Sequence, residues 1–330
     1  MCPNPLRPAI FHSFTNLKMK KYFSILLLSA IGIVACKPPN DNHVADHVNG
    51  YMCPMRCEGD KIYPTEGPCP VCGMDLVPVS PENQPKGFVM QLNSSPDTPV
   101  AGQPAVWSFV PGIEGDTSAV VALEETHEKL LHAIVVSDDL GWYQHVHPEL
   151  QSNGSYTSSI ILPNGGTYFI FTDYQPKGDV ARVERKTISA AGTFRKKEVF
   201  DMEVLSTETD GYKVTLDLKE EKLQTGAPNQ IGVSITEKGK PVSNLENLMG
   251  VKGHLVIIST DGQTYVHVHP EEANGGINFH TSFDQPGFYR AFFQFQTNGK
   301  IHTAYFTLKV DGEKSMGSDT MGTEHEQHQH

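Results

Sequence analysis

Between residues 86 and 311, Val, Thr, Tyr and Phe recur in short runs broken by Gly, Pro, Asn and Asp. That pattern predicts strands and turns and points away from a helical bundle, so the expected class is all-β. The flanks follow other rules. Residues 19–36, MKKYFSILLLSAIGIVAC, place two lysines before an apolar run that is too short to cross a bilayer of ~30 Å as a helix. The basic flank and the small residues at its end mark a secretory signal, with Met19 as the true start. Residues 37–50, KPPNDNHVADHVNG, lack periodicity and read as a flexible tether carrying His43 and His47. Residues 312–330 read as a disordered His- and Met-containing tail.

The long β region is one unit written twice, which settles architecture ahead of any single strand assignment. Aligning His132 with His254 matches LHAIVVSDDLGWYQHVHPEL with GHLVIISTDGQTYVHVHPEE. Both copies reach a His-Val-His-Pro after the same interval. Gly166 then matches Gly287, and Asp173 and Gln175 match Gln294 and Gln296. Each copy has about 100 residues of short strands, the size of an immunoglobulin-like sandwich. The expected organisation is a pre-sequence and signal at 1–35, a tether at 36–50, a knuckle at 51–80, sandwiches at 86–195 and 205–311, and the tail.

Hairpin geometry gathers the histidines. With Asp261-Gly262 as the turn, His254 falls opposite His269, and the same centre in the first copy sets His132 opposite His147. Directly opposed residues share a face, as do residues two apart on a strand. Each copy thus presents a patch of three imidazoles: His132, His145 and His147, then His254, His267 and His269. Three imidazoles suit copper or zinc. The alternative is structural, with the rings bonded to carbonyls or to Asp173 and Gln294, and a register slip of one residue would move His132 and His254 off the face. His127 reads as a solvated loop residue, and His280 and His302 as surface residues. His325, His328 and His330 on the tail are weak metal ligands.

The remaining chemistry lies in residues 51–78, where Cys53, Cys57, Cys69 and Cys72 stand as C-x3-C-x11-C-x2-C. So short a segment has almost no apolar core, and folds around a metal or two disulfides. Four thiolates favour Zn²⁺, whereas Met55 and Met74 could add thioethers for Cu⁺ or Ag⁺. Tyr51, Cys53-Pro54-Met55, Gly67, Cys69-Pro70 and Cys72-Gly73-Met74-Asp75-Leu76 resemble the small heavy-metal-binding domain attached to copper and silver efflux adaptor proteins and copper-transporting ATPases. That family usually has His-Pro after Cys-Pro-Met; Arg56-Cys57 here exchanges an imidazole for a thiolate. The resemblance implies a heavy metal ion as ligand and efflux-system proteins as partners.

Ile33-Val34-Ala35-Cys36 resembles the lipobox of bacterial lipoproteins, which implies a lipidated Cys36 as the mature N-terminus and a protein anchored to a membrane without spanning it. The expected location is the cell envelope, on the outer membrane, facing the periplasm or the surface.

The formal net charge is −12, and removal of the signal takes away Arg7, Lys18, Lys20 and Lys21 but no acid. Such a surface attracts cations and argues against nucleic-acid binding. No cysteine follows Cys72, which excludes a blue-copper centre in the repeats, and no nucleophile elbow or phosphate loop is present. Asp138-Asp139 and Glu271-Glu272 read as solvated charge. The expectation is a binding protein, not an enzyme. Its function would be to capture, buffer or hand over copper, with zinc second; a role for efflux or resistance machinery is what the resemblance of residues 51–78 implies. The competing reading is an envelope interaction module with two immunoglobulin-like domains and a structural zinc knuckle.

Overall fold

The computed structural model describes residues 50–54, 59–69, 74–80, 84–126, 128–248, 250–268, 270–273 and 276–313. The signal, Cys36, the tether, Met55, Cys57, Cys72, His127, His269 and the tail histidines His325, His328 and His330 lie outside the described residues. Among those described there is no helix.

The knuckle is closed by β1 (Tyr51–Met52) pairing antiparallel with β2 (Val77–Pro78). Reciprocal backbone hydrogen bonds join Tyr51 to Tyr63, and Cys69 N–H donates to the carbonyl of Met74 at 2.7 Å. Its core is small, as the sequence requires: Cys53, Cys69 and Leu76, packed against Tyr51 and Tyr63.

The first repeat comprises β3 (Phe88–Ser95), β4 (Pro104–Ile113), β5 (Leu123–Glu124), β6 (Leu131–Ser137), β7 (Tyr143–Val146), β8 (Glu149–Leu150), β9 (Tyr156–Ile161), β10 (Gly166–Pro176) and β11 (Arg182–Ala190). One sheet runs β3-β4-β9-β8, the other β11-β10-β6-β7 with β5 beside β10. The second repeat comprises β12 (Ser206–Thr209), β13 (Tyr212–Leu218), β14 (Leu223–Gln224), β15 (Asn229–Glu237), β16 (Lys240–Pro241), β17 (His254–Ser259), β18 (Tyr265–Val268), β19 (Pro270–Ala273), β20 (Gly276–Thr281), β21 (Gly287–Thr297) and β22 (Lys300–Asp311). Its sheets run β12-β13-β15-β20-β19 and β14-β22-β21-β17-β18. Setting β13, β15, β17, β18, β19, β20, β21 and β22 against β3, β4, β6, β7, β8, β9, β10 and β11 reproduces the same immunoglobulin-like order twice.

Each repeat has its own sandwich core, around Trp107, Phe109, Tyr168 and Tyr174 in the first and Phe279, Phe293, Phe295 and Phe306 in the second. A third apolar cluster joins the repeats. Ile134, Val136, Leu140, Tyr143 and Phe171 of the first pack against Val256, Ile258 and Phe292 of the second. The ring of Tyr143 stacks on Phe292, with centroids 4.4 Å apart, and that of Phe171 on Tyr265 at 5.2 Å. In the repeat alignment Tyr143 corresponds to Tyr265 and Phe171 to Phe292, so the two stacks are mates about an approximate two-fold axis.

This arrangement explains why β6 and β17 are buried along their whole length. Alternate residues Leu131, Ala133 and Val135 enter the first sandwich core, while Ile134 and Val136 enter the shared one. Leu255 and Ile257, against Val256 and Ile258, divide in the same way. The matched turns differ where the repeats meet. Leu140 holds a positive φ of 56° with its side chain in the shared core, whereas its counterpart Gly262, at φ 67°, lies under Phe169. A Cβ there would stand 2.4 Å from that ring, which only glycine avoids.

Two surface expectations are corrected. His302 is buried, its Nδ1 2.7 Å from Asp210 Oδ2 and its Nε2 2.9 Å from Thr297 Oγ1, because its strand position faces the second sandwich core. His280 is exposed, as expected. Asp139 is not solvated: Arg195 lies 2.7 Å away and Ser137 Oγ donates to it at 2.6 Å, which fixes the turn between β6 and β7.

Candidate metal centre

Both hairpins that carry the histidines have the expected register, with Ala133 opposite Val146 and Leu255 opposite Val268. In the first repeat this brings the side chains of His132, His145 and His147 together, with one ring nitrogen from each within 4.8 Å of the others. His132 comes from β6 and His145 from β7. His147 follows β7 and precedes Pro148, which holds it extended so that the alternation continues past the strand end.

Hydrogen bonds on the outer edges of the rings decide which nitrogens face inward. His132 Nε2 lies 2.9 Å from the carbonyl oxygen of Thr126. A carbonyl only accepts, so Nε2 carries the proton and the neutral ring keeps a lone pair on Nδ1. His145 Nδ1 lies 3.1 Å from Gln294 Oε1, and the Gln294 amide nitrogen donates to Thr303 Oγ1 at 3.2 Å. With the amide so oriented, Nδ1 donates and the lone pair of His145 is on Nε2.

The inward nitrogens are close. His132 Nδ1 is 3.1 Å and His147 Nε2 3.2 Å from His145 Nε2. Facing lone pairs on His132 and His145 repel each other unless a proton or a cation lies between them. Two metal–nitrogen bonds of about 2.0–2.1 Å at a tetrahedral angle hold their nitrogens roughly 3.3 Å apart. The observed spacing therefore fits an ion with little movement. Imidazoles whose outer N–H groups are held by carbonyl or amide acceptors form the customary outer layer of a metal site.

Electrostatics keeps the rings ready for a cation. Burial, then the neighbouring His147, His132 and His254, holds the pKa of His145 well below 6.5. Burial, then His132, Lys129 and His254, lowers that of His147 to about 3. At neutral pH both are uncharged, and a metal ion does not have to displace a proton from either.

The second repeat repeats one bond of this outer layer. His254 Nε2 lies 2.8 Å from the carbonyl of Leu248, the counterpart of Thr126. The rings of His254 and His145 are 6.2 Å apart between centroids. His267 sits in β18 opposite Val256, as His145 sits opposite Ile134. In the knuckle, Cys53 and Cys69 are buried and Met74 is exposed.

Sequence reasoning named carbonyls and Gln294 as partners of the rings, and both are found. It did not find that the carbonyls are those of Thr126 and Leu248 or that Gln294 reaches His145 from the other repeat. A signal was present in the uninterrupted apolar runs of β6 and β17. Antiparallel strands with one solvated face alternate, and these do not, so something had to cover the second face.

The fold and the histidine cluster define a tandem β-sandwich protein with a potential imidazole metal site and a separate cysteine knuckle. Residues 85–191 and 207–312, together more than half of the chain, match the family described as Domain of unknown function (DUF8832), and the chain belongs to that family. Residues 51–79 match the Heavy metal binding domain, so the cysteine knuckle is a domain of that type. A search of curated proteins finds no match. Among solved structures the chain is similar to a DUF4426 family protein from Pseudomonas aeruginosa, at 15% identity over 32% of this chain and 94% of that one, TM-score 0.24. It is also similar to the Escherichia coli adhesin FdeC, at 15% identity over 73% of this chain and 71% of that one, TM-score 0.23.

Proposed function

We propose that this protein is a lipid-anchored cell-envelope protein that captures heavy metal ions, copper foremost and zinc second, and buffers them or hands them to efflux machinery. The observation that carries the reading is the convergence of His132 Nδ1, His145 Nε2 and His147 Nε2, whose outer layer leaves lone pairs turned inward on His132 and His145. The heavy metal binding domain at residues 51–79 supports it independently. Imidazole suits copper and zinc alike, while thiolate and thioether in the knuckle favour zinc or Cu⁺. The protein acts by ligand exchange as a binding protein, without a reaction of its own. Cys36 carries the lipid.

Titration of the mature protein with Cu⁺, Cu²⁺ and Zn²⁺ tests this. Several equivalents, at least one lost with His145→Ala, are expected. A single zinc removed only by unfolding would leave the knuckle as a structural button and overturn the reading. Cys36→Ala should move the protein from the membrane to the soluble fraction; unchanged membrane attachment would refute the anchor.

A further inference from the structure

The hydrogen bond that orients His145 comes from the other repeat. Gln294 lies in β21, in the face that meets the first repeat, and is buried. Its oxygen also lies 3.5 Å from the hydroxyl of Tyr143, and Thr303 in β22 anchors its nitrogen. Asp173 of the first repeat is Gln294's counterpart, and after burial its charge helps to raise the pKa of Tyr265 in the second.

A cation on His145 Nε2 draws electron density from the ring and makes Nδ1–H a stronger donor. The bond to Gln294 then changes from a neutral to a charge-assisted one, roughly twice as strong. Whatever strengthens this bond on metal binding must, by reciprocity, strengthen metal binding when the bond is made. The stacks of Tyr143 on Phe292 and Phe171 on Tyr265 are in the same interface, so the bond forms only where the two repeats are docked.

We infer that Gln294 is a positioning residue for a metal ion held by His132, His145 and His147, and that this ion serves as a latch between the two repeats. The inference rests on the proposed metal binding at the histidine cluster. It adds that the site belongs to the tandem and not to one repeat, and that occupancy is read out as tighter docking of the second sandwich on the first. Cu⁺ and Zn²⁺ are the ions to test.

The experiment uses the full mature chain and compares wild type with Gln294→Leu, Gln294→Glu and Thr303→Val. Affinity is measured by competition with a chromophoric chelator, and interface tightness by hydrogen exchange in β6–β7 and β21–β22 with and without metal. Gln294→Leu should weaken binding by about tenfold or more, as loss of an outer-layer partner does. It should also confine metal-induced protection to β6–β7. Gln294→Glu, which still accepts from Nδ1–H, should restore both effects, and Thr303→Val should fall between. Wild-type affinity and two-repeat protection in Gln294→Leu would overturn the inference while leaving the metal site intact. Should Gln294→Leu not fold, wild-type behaviour of Thr303→Val does the same. If wild type and His145→Ala bind equal numbers of ions, the metal reading itself fails, a result distinct from the first.

Discussion

His145 Nδ1 and Gln294 Oε1 stand 3.1 Å apart although 149 residues separate them in the chain. One repeat thus sets the proton position on a candidate ligand of the other. The duplication places two like sheets face to face, with His132 and His254 buried and His145 and His147 half-buried.

Removing the central imidazole is the most direct test of the cluster. His145→Ala should lower the metal-to-protein ratio by one while the knuckle keeps its ion, as counted by elemental analysis after gel filtration. An unchanged ratio would exclude the cluster from metal binding.

Acidification should act on the folded state through the same rings. The folded pKa values of His145 and His147 lie below the ordinary 6.5 of an exposed ring. The unfolded chain therefore takes up protons first, and stability present above about pH 6.5 is lost as the pH falls towards 3. Metal bound at the cluster should survive at pH 5.5, where metal on exposed imidazoles is displaced. Dialysis at pH 7.5 and 5.5 checks this, and parallel loss of all imidazole-bound metal would contradict it.

The stack of Tyr143 on Phe292 holds the two repeats together. Phe292→Ala should cost about 3–5 kcal/mol, the usual penalty for emptying a buried aromatic site. Chemical denaturation should then show the repeats unfolding in separate steps. A single transition at the wild-type midpoint would show that the interface contributes little.

Arg182 pairs with Asp60 through two hydrogen bonds of 2.8 and 3.0 Å and lies against Phe88, tying the knuckle to the first repeat. Arg182→Ala should speed protease cleavage between residues 79 and 88 several-fold without changing the metal content of the knuckle. Cleavage at the wild-type rate would show that other contacts hold the knuckle in place.

Much of the architecture was legible in local pattern. Short apolar runs between turn residues announced strands, and the matching intervals from His132 to His145 and from His254 to His267 announced the duplication. Asp261-Gly262 centred the hairpin correctly because a turn has few geometries and each imposes a register. His302 was misread because a lone histidine in a strand carries no mark of which face it occupies. Its burial depends on Asp210, Thr297 and Phe295, which reach it from elsewhere.

The sequence by itself determined an all-β chain and a three-imidazole patch in the first repeat, which follow from strand alternation and turn geometry. It also determined two copies of one sandwich and the knuckle's cysteine spacing, which are read directly from recurrence along the chain. Only the tertiary structure decided that the copies share an apolar face and that Thr126 and Gln294 orient the rings of His132 and His145. Those contacts depend on packing between segments far apart in the chain, and neither strand alternation nor turn chemistry encodes which face meets which.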